Sequence, residues 1–201
     1  ANHYIGDLKL TSEGVVALIR SLAIDGSKVR NTMLHLTAAG ETKFISQLDT
    51  ELFPRELVYE ERTNMYITSY FGDSDTTDVM SKSDLSVRGI NGLGEEIWHY
   101  DYSYSGNYLK MLTTQSQILI GGNYSLIKND AGRTFSKPSG TNSFIMALDY
   151  SGAIKKIMCY SSDDNYQSTI FYKVSDKNIN LIGSKGEHLI ADGSLENIYS
   201  S

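Results

Sequence analysis

Carboxylates and hydroxyls are concentrated in the segment Asp73-Ser-Asp-Thr-Thr-Asp78. Calcium is bound by about six to eight oxygen ligands, and Asp73, Asp75 and Asp78 offer three carboxylates with hydroxyls beside them. The segment lacks the EF-hand layout, in which a turn glycine is followed by a bidentate glutamate. Two interpretations therefore stay open, a weak calcium site and a solvated acidic loop, and no other cofactor is expected.

A row of aromatic residues is the second feature that could bind a ligand. It consists of Trp98, Tyr100, Tyr102 and Tyr104. Aromatic rings stack on sugars and also anchor protein interfaces. In a strand, such side chains alternate between core and surface. The row therefore predicts either core packing or a binding surface for a glycan or a protein.

Signatures of catalysis are missing from the sequence. The histidines, His3, His35, His99 and His188, show no metal-ligand spacing. Neither a Gly-x-Ser-x-Gly elbow nor a phosphate-binding loop occurs. Cys159 stands in an apolar stretch, which is typical of packing. We therefore predict no catalytic residues. A glycosidase or lyase would need carboxylates that converge from different parts of the chain, which sequence alone does not reveal.

Charge and hydropathy exclude several classes of partner. The 201 residues carry a formal net charge of −6, with acidic and basic residues interspersed. Without a basic stripe, nucleic acid is not an expected partner. No apolar run reaches the roughly 18 residues of a membrane-spanning helix, so no membrane insertion is expected. One cysteine cannot form an intramolecular disulfide.

A fourfold repeat of two hairpins organises the chain. The first hairpin of each repeat is predicted at Ile5–Ile19, Glu56–Thr68, Tyr108–Gly122 and Ile170–Gly183. The second is predicted at Met33–Phe44, Leu85–Trp98, Phe144–Ile157 and His188–Ile198, each with a turn glycine at Gly40, Gly94, Gly152 or Gly193. A loop of variable length joins the hairpins, and it is longest between Gly121 and Phe144. The run Val15–Ile24 fits a short helix by periodicity, but its alignment with Gln117–Gly122 favours a strand.

The central strands predict how the repeats pack. In Phe144-Ile-Met-Ala-Leu148, apolar residues occupy both faces, so both faces must be covered. Stacked blades of a β-propeller do this. We predict an all-β, β-propeller-like domain over residues 1–201, made of four four-stranded antiparallel blades at about 1–50, 51–104, 105–165 and 166–201. Four blades could form a closed disc, half of a ring completed by another copy, or part of a larger propeller. An open block would expose apolar faces that drive association.

The repeats described above resemble a bacterial β-propeller repeat family, of the seven-bladed-propeller type. The similarity is clearest in Phe144-Ile-Met-Ala-Leu-Asp-Tyr-Ser-Gly152, with Leu119–Gly122 and Leu181–Ser184 similar to the family's second strand. Ser161–Asn165 is similar to its acidic turn. The resemblance covers most of the chain, and its motifs are turn and core residues, which specify a fold and no chemistry. It implies a rigid scaffold or binding module of a secreted or cell-surface bacterial protein.

Three functions follow as hypotheses. The first is a non-enzymatic structural or protein-interaction module, extracellular or at the cell surface, which associates with itself or with further blades of a larger propeller. The second is a glycan-binding propeller that uses the aromatic row. The third is a propeller hydrolase or lyase, for which the sequence contains no recognisable catalytic residues.

Overall fold

The computed structural model describes residues 2–24, 29–50, 52–72, 83–105, 108–124, 126–128, 134–136, 142–161, 169–173, 179–185 and 188–191. These ranges contain 17 strands and no helix. The chain divides into two compact units, Ala1–Asp101 and Tyr102–Ser201. The predicted all-β class and the antiparallel, mostly four-stranded sheets are confirmed over this part of the chain.

The first unit contains two sheets of four consecutive strands. The first sheet has the order β1-β2-β3-β4, with strands Asn2–Thr11, Gly14–Leu22, Val29–Thr37 and Thr42–Leu48. The second sheet contains β5 to β8 in sequence order, with strands Phe53–Glu60, Met65–Phe71, Ser83–Asn91 and Glu96–Ser105. The segment Val15–Ile24 therefore begins as a strand, as its alignment predicted.

The second unit repeats this arrangement with an insertion. Its four-stranded sheet has the order β14-β13-β10-β9. These strands are Tyr108–Thr113 (β9), Ile118–Tyr124 (β10), Asn142–Leu148 (β13) and Ile154–Ser161 (β14). A further sheet is formed by β15, β16 and β17, at Thr169–Lys173, Ile179–Lys185 and His188–Ala191. A fourth strand of this last repeat would fall in residues 192–201, outside the described ranges.

The segment predicted as a long loop between Gly121 and Phe144 contains two short strands. These are β11 (Leu126–Lys128) and β12 (Thr134–Ser136), which pair with each other. β11 also pairs with residues 103–105, at the end of β8. The prediction missed them because three residues are too few to show alternation, and their pairing partner is distant in sequence.

One turn geometry recurs in three of the four second hairpins. Gly40, Gly94 and Gly152 all have positive φ, at 81°, 87° and 83°. In each case the glycine N–H donates to the carbonyl three residues earlier, at 2.9 to 3.0 Å. This is a turn followed by a glycine bulge, which the right-handed strand twist favours and which glycine adopts without steric cost. The predicted turn glycines are confirmed at these positions, while Gly193 lies outside the described residues.

The two sheets of the first unit pack face to face around a shared core. Val16, Leu18, Met33 and Leu48 of the first sheet lie against Leu57, Tyr66, Tyr70 and Ile90 of the second. The first strands of the two sheets are neighbours, since the Leu57 N–H donates to Asp7 Oδ2 at 2.8 Å. The connection between the sheets is held by Asn31, whose side-chain amide donates to the carbonyls of Thr50 and Leu52 at 2.6 and 2.8 Å.

Burial on both faces, predicted for the central strands, is confirmed in the second unit. Ile118, Leu119 and Ile120 of β10 are fully buried, and so are the residues of β13 from Phe144 to Leu148. Because direct antiparallel partners share a face, Ile120 with Met146 and Leu119 with Ala147 lie on opposite faces of this sheet. Both faces are therefore covered, as expected for a stacked sheet.

Candidate functional site

Trp98, the first residue of the predicted aromatic row, packs onto the neighbouring strand. A Cβ atom built on Gly89 of β7 would lie 2.2 Å from the Trp98 indole, so the ring occupies the space above this glycine. Tyr100 lies beside it, with ring centroids 6.0 Å apart. An aromatic ring over a strand glycine replaces the packing that a side chain would supply there. The geometry at Trp98 supports the packing interpretation.

The other predicted ligand-binding residues offer no assembled site in the described part of the chain. Tyr102 is only 2% exposed, so its ring is not available at the surface. Nothing is described of the Tyr104 side chain. The calcium candidates Asp73, Asp75 and Asp78 lie outside the described residues. Within the described ranges, no group of three or more histidine, cysteine or acidic side chains is placed to hold a metal ion.

His35 lies in an aromatic cluster between the two sheets of the first unit. It is fully buried, and its Nδ1 is 3.0 Å from the hydroxyl of Tyr66. Phe44 contacts both rings edge-on, and Tyr59 stacks on Tyr66 with centroids 4.7 Å apart. Burial lowers the pKa of His35 below its usual 6.5, and the charge of Lys43 lowers it further while that of Glu13 opposes this. His35 thus packs within the contact between the two sheets of the first unit.

A network of polar side chains lies at the edge of the contact between the two sheets of the first unit. Arg88 is almost completely buried and donates to Glu96 Oε2 at 2.5 Å and to the Asp49 carbonyl at 2.8 Å. Glu96 also lies 2.7 Å from Nδ1 of His99. A guanidinium with fixed acceptors holds the connection between the sheets against β7 and β8.

An extended apolar surface lies on the other side of the first sheet. Cross-strand pairing aligns its side chains in rows, because direct antiparallel partners point to the same face. We call this surface the apolar face of the first sheet; its members are Ile5 and Ile19, then Leu8, Ala17, Leu34 and Ile45, then Leu10, Val15 and Leu36. Leu10 is 79% exposed, Ile45 67% and Ile5 58%. Most of the remainder are half-buried.

The corresponding face of the second sheet is core. Leu36 and Ile90 occupy the same place relative to the turn glycines Gly40 and Gly94, four residues before each. When these two residues are aligned, the cross-strand row Leu10, Val15, Leu36 of the first sheet corresponds to the cross-strand row Tyr59, Tyr66, Ile90 of the second sheet. Tyr66 and Ile90 are fully buried against the first sheet, and Tyr59 packs on the same cluster. The first sheet therefore exposes apolar side chains at positions whose counterparts in the second sheet are buried against the first sheet.

This face is the candidate functional site. It carries no nucleophile, acid or metal ligand, so its chemistry is apolar burial. The sequence predicts that an open block exposes apolar faces, but it does not identify these nine side chains. Superposing the two repeats on their turn glycines would have matched these rows with core rows of the second sheet, but their exposure is visible only in the structure.

Comparisons with known proteins add little to this description. No protein-family model matches the chain, and no curated protein matches it either. Among solved structures it is similar to the acylaminoacyl peptidase of Pyrococcus horikoshii, with a TM-score of 0.49 and 9% sequence identity. The match covers 96% of this chain and 33% of the peptidase, so the chain spans about a third of that protein's length. Among the described residues, no helix is long and apolar enough to cross a membrane.

Proposed function

We propose that the chain is a non-enzymatic β-propeller-type module that binds a protein partner through the apolar face of its first sheet. The observation that carries this proposal is the exposure of aliphatic rows whose counterparts in the second sheet are core. Exposed aliphatic surface costs free energy at about 25 cal/mol per Å². Large contiguous apolar patches on a protein surface often mark sites of contact with another protein.

The propeller architecture is part of the same proposal and is supported inside each unit. In the first unit, β1 lies beside β5; in the second, β15 lies beside β9 and β10. The first strand of one sheet is thus next to the first strand of the sheet before it, as in blades arranged around an axis. The number of blades in the ring, the resemblance to the bacterial repeat family and a secreted or cell-surface location belong to this proposal as well.

Protein binding is preferred over glycan binding on the evidence of two residues. Trp98 is engaged over Gly89, and Tyr102 is buried. Sugar stacking needs an aromatic ring whose face is open to solvent. The apolar face of the first sheet consists of aliphatic side chains, which suit a protein surface better than a sugar with its many hydroxyls.

The test uses the full chain with two face variants, Leu10→Glu and Ile45→Glu. Leu93→Glu is the matched control, because Leu93 is 73% exposed but lies in the turn between β7 and β8 of the second sheet. Circular dichroism and thermal melting first verify that all three variants fold. Cross-linking with mass spectrometry, followed by binding measurements on purified components, then compares their association with protein partners.

We expect association to be lost in both face variants and retained in Leu93→Glu. The proposal is contradicted if the face variants associate like the wild type. It is also contradicted if the pure chain turns over peptide or glycoside substrates while the face variants remain fully active.

A further inference from the structure

We propose that the contact between the two sheets of the first unit is a pH-sensitive switch, in which a proton taken up by His35 opens one end of the contact. The end that opens contains the aromatic cluster of His35, Phe44, Tyr59 and Tyr66. In the open state, the strand ladders of both sheets persist and the rings of this cluster meet solvent. The switch is independent of the proposed partner site, which lies on the opposite side of the first sheet.

The hydrogen bonding of His35 is unsuited to a protonated ring. The side chain is fully buried, and its Nδ1 is 3.0 Å from the hydroxyl of Tyr66. Its Nε2 has no hydrogen-bond partner within the described ranges. A protonated imidazole carries N–H donors on both nitrogens. A proton taken up in the closed contact would therefore leave a buried, charged donor at Nε2 without an acceptor, which is costly, whereas water satisfies it once the contact opens.

The charged groups around His35 do not compensate an added positive charge. The titratable groups on the elements packed around it are Lys9 of β1, Glu13 of the following turn, Lys43 of β4, Tyr59 and Glu60 of β5, Glu61 of the next turn, Tyr66 of β6 and Glu96 of β8. Three of the carboxylates are engaged in ion pairs, Glu13 with Lys43, Glu60 with Arg62 and Glu96 with Arg88. Burial raises the pKa of Tyr59 and of Tyr66, so both phenols stay neutral in acid.

Proton uptake is therefore linked to opening. In the closed contact, burial lowers the pKa of His35 below 6.5, the charge of Lys43 lowers it further and that of Glu13 opposes this. In the open contact the ring is solvated, and its pKa returns to about 6.5. Between that pH and the lowered value, the open state binds one proton more than the closed state. Each pH unit of acidification then favours opening by up to about tenfold, while above pH 6.5 the dependence vanishes.

Polar ties at the far end of β3 hold the sheets together while the His35 end opens. There, the side chains of Asn31 and Arg88 donate to backbone carbonyls of the connection 49–52 at 2.6 to 2.8 Å. Asn31 and His35 are four residues apart, which is roughly 13 Å along an extended strand. The connection 49–52 is thus the hinge, and it lies away from the group that titrates.

At the His35 end, the sheets are joined by side-chain contacts. The Ser46 hydroxyl donates to the Gly94 carbonyl in a part-buried position, where water can replace it. The Phe44 ring packs on the same glycine, since a Cβ atom built there would lie 2.6 Å from the ring. Separating the sheets at this end breaks these contacts and the bond between His35 and Tyr66. The ladders within each sheet are backbone hydrogen bonds between its own strands, so they stay intact.

Thiol labelling at two buried positions of the full chain tests the switch. Val16→Cys places a thiol beside His35, its direct cross-strand partner, and Leu48→Cys places one beside Asn31 at the hinge end. Val16 and Leu48 are both buried, and both variants carry Cys159→Ala to remove the native thiol. Each labelling rate is divided by the rate of the urea-unfolded variant at the same pH, which cancels the titration of the thiol itself. Between about pH 7.5 and pH 5.5 we expect this ratio to rise about tenfold at position 16 and to stay constant at position 48.

Two histidine variants identify the group that takes up the proton. His35→Gln, added to Val16→Cys, should abolish the rise at position 16. His99→Gln is the matched control and should keep it, because His99 is about half exposed and bonded to Glu96. A constant ratio at position 16 would overturn the inference, as would a rise that persists in His35→Gln. An equal rise at positions 16 and 48 would also overturn it, since the whole unit then unfolds. That comparison decides the matter even if His35→Gln does not fold.

Discussion

The hydroxyl of Tyr66 lies 3.0 Å from Nδ1 of His35, and this hydrogen bond joins the second sheet to the first inside an otherwise apolar contact. Both side chains are fully buried. The other ring nitrogen of His35, Nε2, has no hydrogen-bond partner within the part of the chain that is described. A buried polar pair costs little while it is intact and much when one partner is removed. The pair therefore makes the contact between the sheets sensitive to substitution and to pH.

Removing the Tyr66 hydroxyl should destabilise the first unit. Tyr66→Phe keeps the ring that packs on Phe44 and Tyr59, but leaves Nδ1 of His35 without its partner. We expect the free energy of unfolding to fall by about 1 to 3 kcal/mol. Urea denaturation followed by circular dichroism measures this change.

Tyr59→Phe is the matched control for that variant. The Tyr59 hydroxyl bonds to Asn64 Oδ1 at 3.1 Å in a solvent-exposed setting, where water can replace the partner. Its loss should cost less than about 1 kcal/mol. Equal losses in the two variants would show that the buried hydrogen bond has no special weight.

The stability of the first unit should fall in mild acid. The pKa of His35 is lowered in the folded state from 6.5, chiefly by burial, so His35 binds a proton more tightly in the unfolded chain than in the folded one. Stability is therefore fully present above pH 6.5 and decreases as the pH falls from 6.5 toward the lowered value. Lys43 and Glu13, which form an ion pair, are the charged groups acting on His35. Measuring the free energy of unfolding between pH 7.5 and about pH 5 tests this dependence.

His35→Gln is the variant that separates this effect from other titrations. Glutamine keeps a polar side chain at the position but does not ionise in this range. The variant should be less stable at neutral pH and show a flatter profile below pH 6.5. Parallel profiles for the wild type and His35→Gln would assign the acid sensitivity to other groups.

Gly89 should not tolerate alanine while Trp98 is present. The added methyl carbon would lie 2.2 Å from the indole, so the ring or the strand must shift. We expect Gly89→Ala to cost about 1 to 3 kcal/mol, the range of overpacked cores. Combining it with Trp98→Val should recover part of that loss, because the smaller side chain leaves room for the methyl group. Additive losses in the double variant, measured by thermal melting, would contradict this packing relationship.

Local patterns predicted the strands and turns well because those features are encoded by neighbouring residues. A turn glycine such as Gly94 directly indicates a turn, because glycine adopts a positive φ without steric cost. The run from Phe144 to Leu148, which is apolar on both faces of the strand, likewise indicates burial on both faces. The role of Trp98 was not predictable, since it depends on register with Gly89 on another strand. Exposure of Leu10 and Ile45 was equally hidden, because an apolar residue in a strand looks the same whether or not a second sheet covers it. Pairing between distant elements sets both features.

The side chain of Asp149 holds the turn between β13 and β14 through its hydrogen bonds. Asp149 Oδ1 accepts the backbone N–H groups of Ser151 and Ala153 at 2.9 and 3.0 Å, and Oδ2 lies 2.7 Å from Lys155 Nζ. The hydrogen bond from Lys155, then that from Ser151, lowers the pKa of Asp149 from 3.8 to about 2. The carboxylate therefore contributes stability above pH 3.8 that is lost as the pH falls toward 2.

Asparagine at this position should preserve the turn and remove the titration. Asn91 occupies the equivalent place in the second sheet, where its Oδ1 accepts the N–H groups of Leu93 and Glu95 at 2.9 and 3.0 Å. Asp149→Asn should thus cost less than about 1 kcal/mol, the worth of an exposed ion pair. Asp149→Ala loses both backbone hydrogen bonds and should cost about 1 kcal/mol more. Unfolding at pH 7 and at about pH 3 measures both effects. If asparagine is as damaging as alanine, the charge and not the turn geometry holds this hairpin.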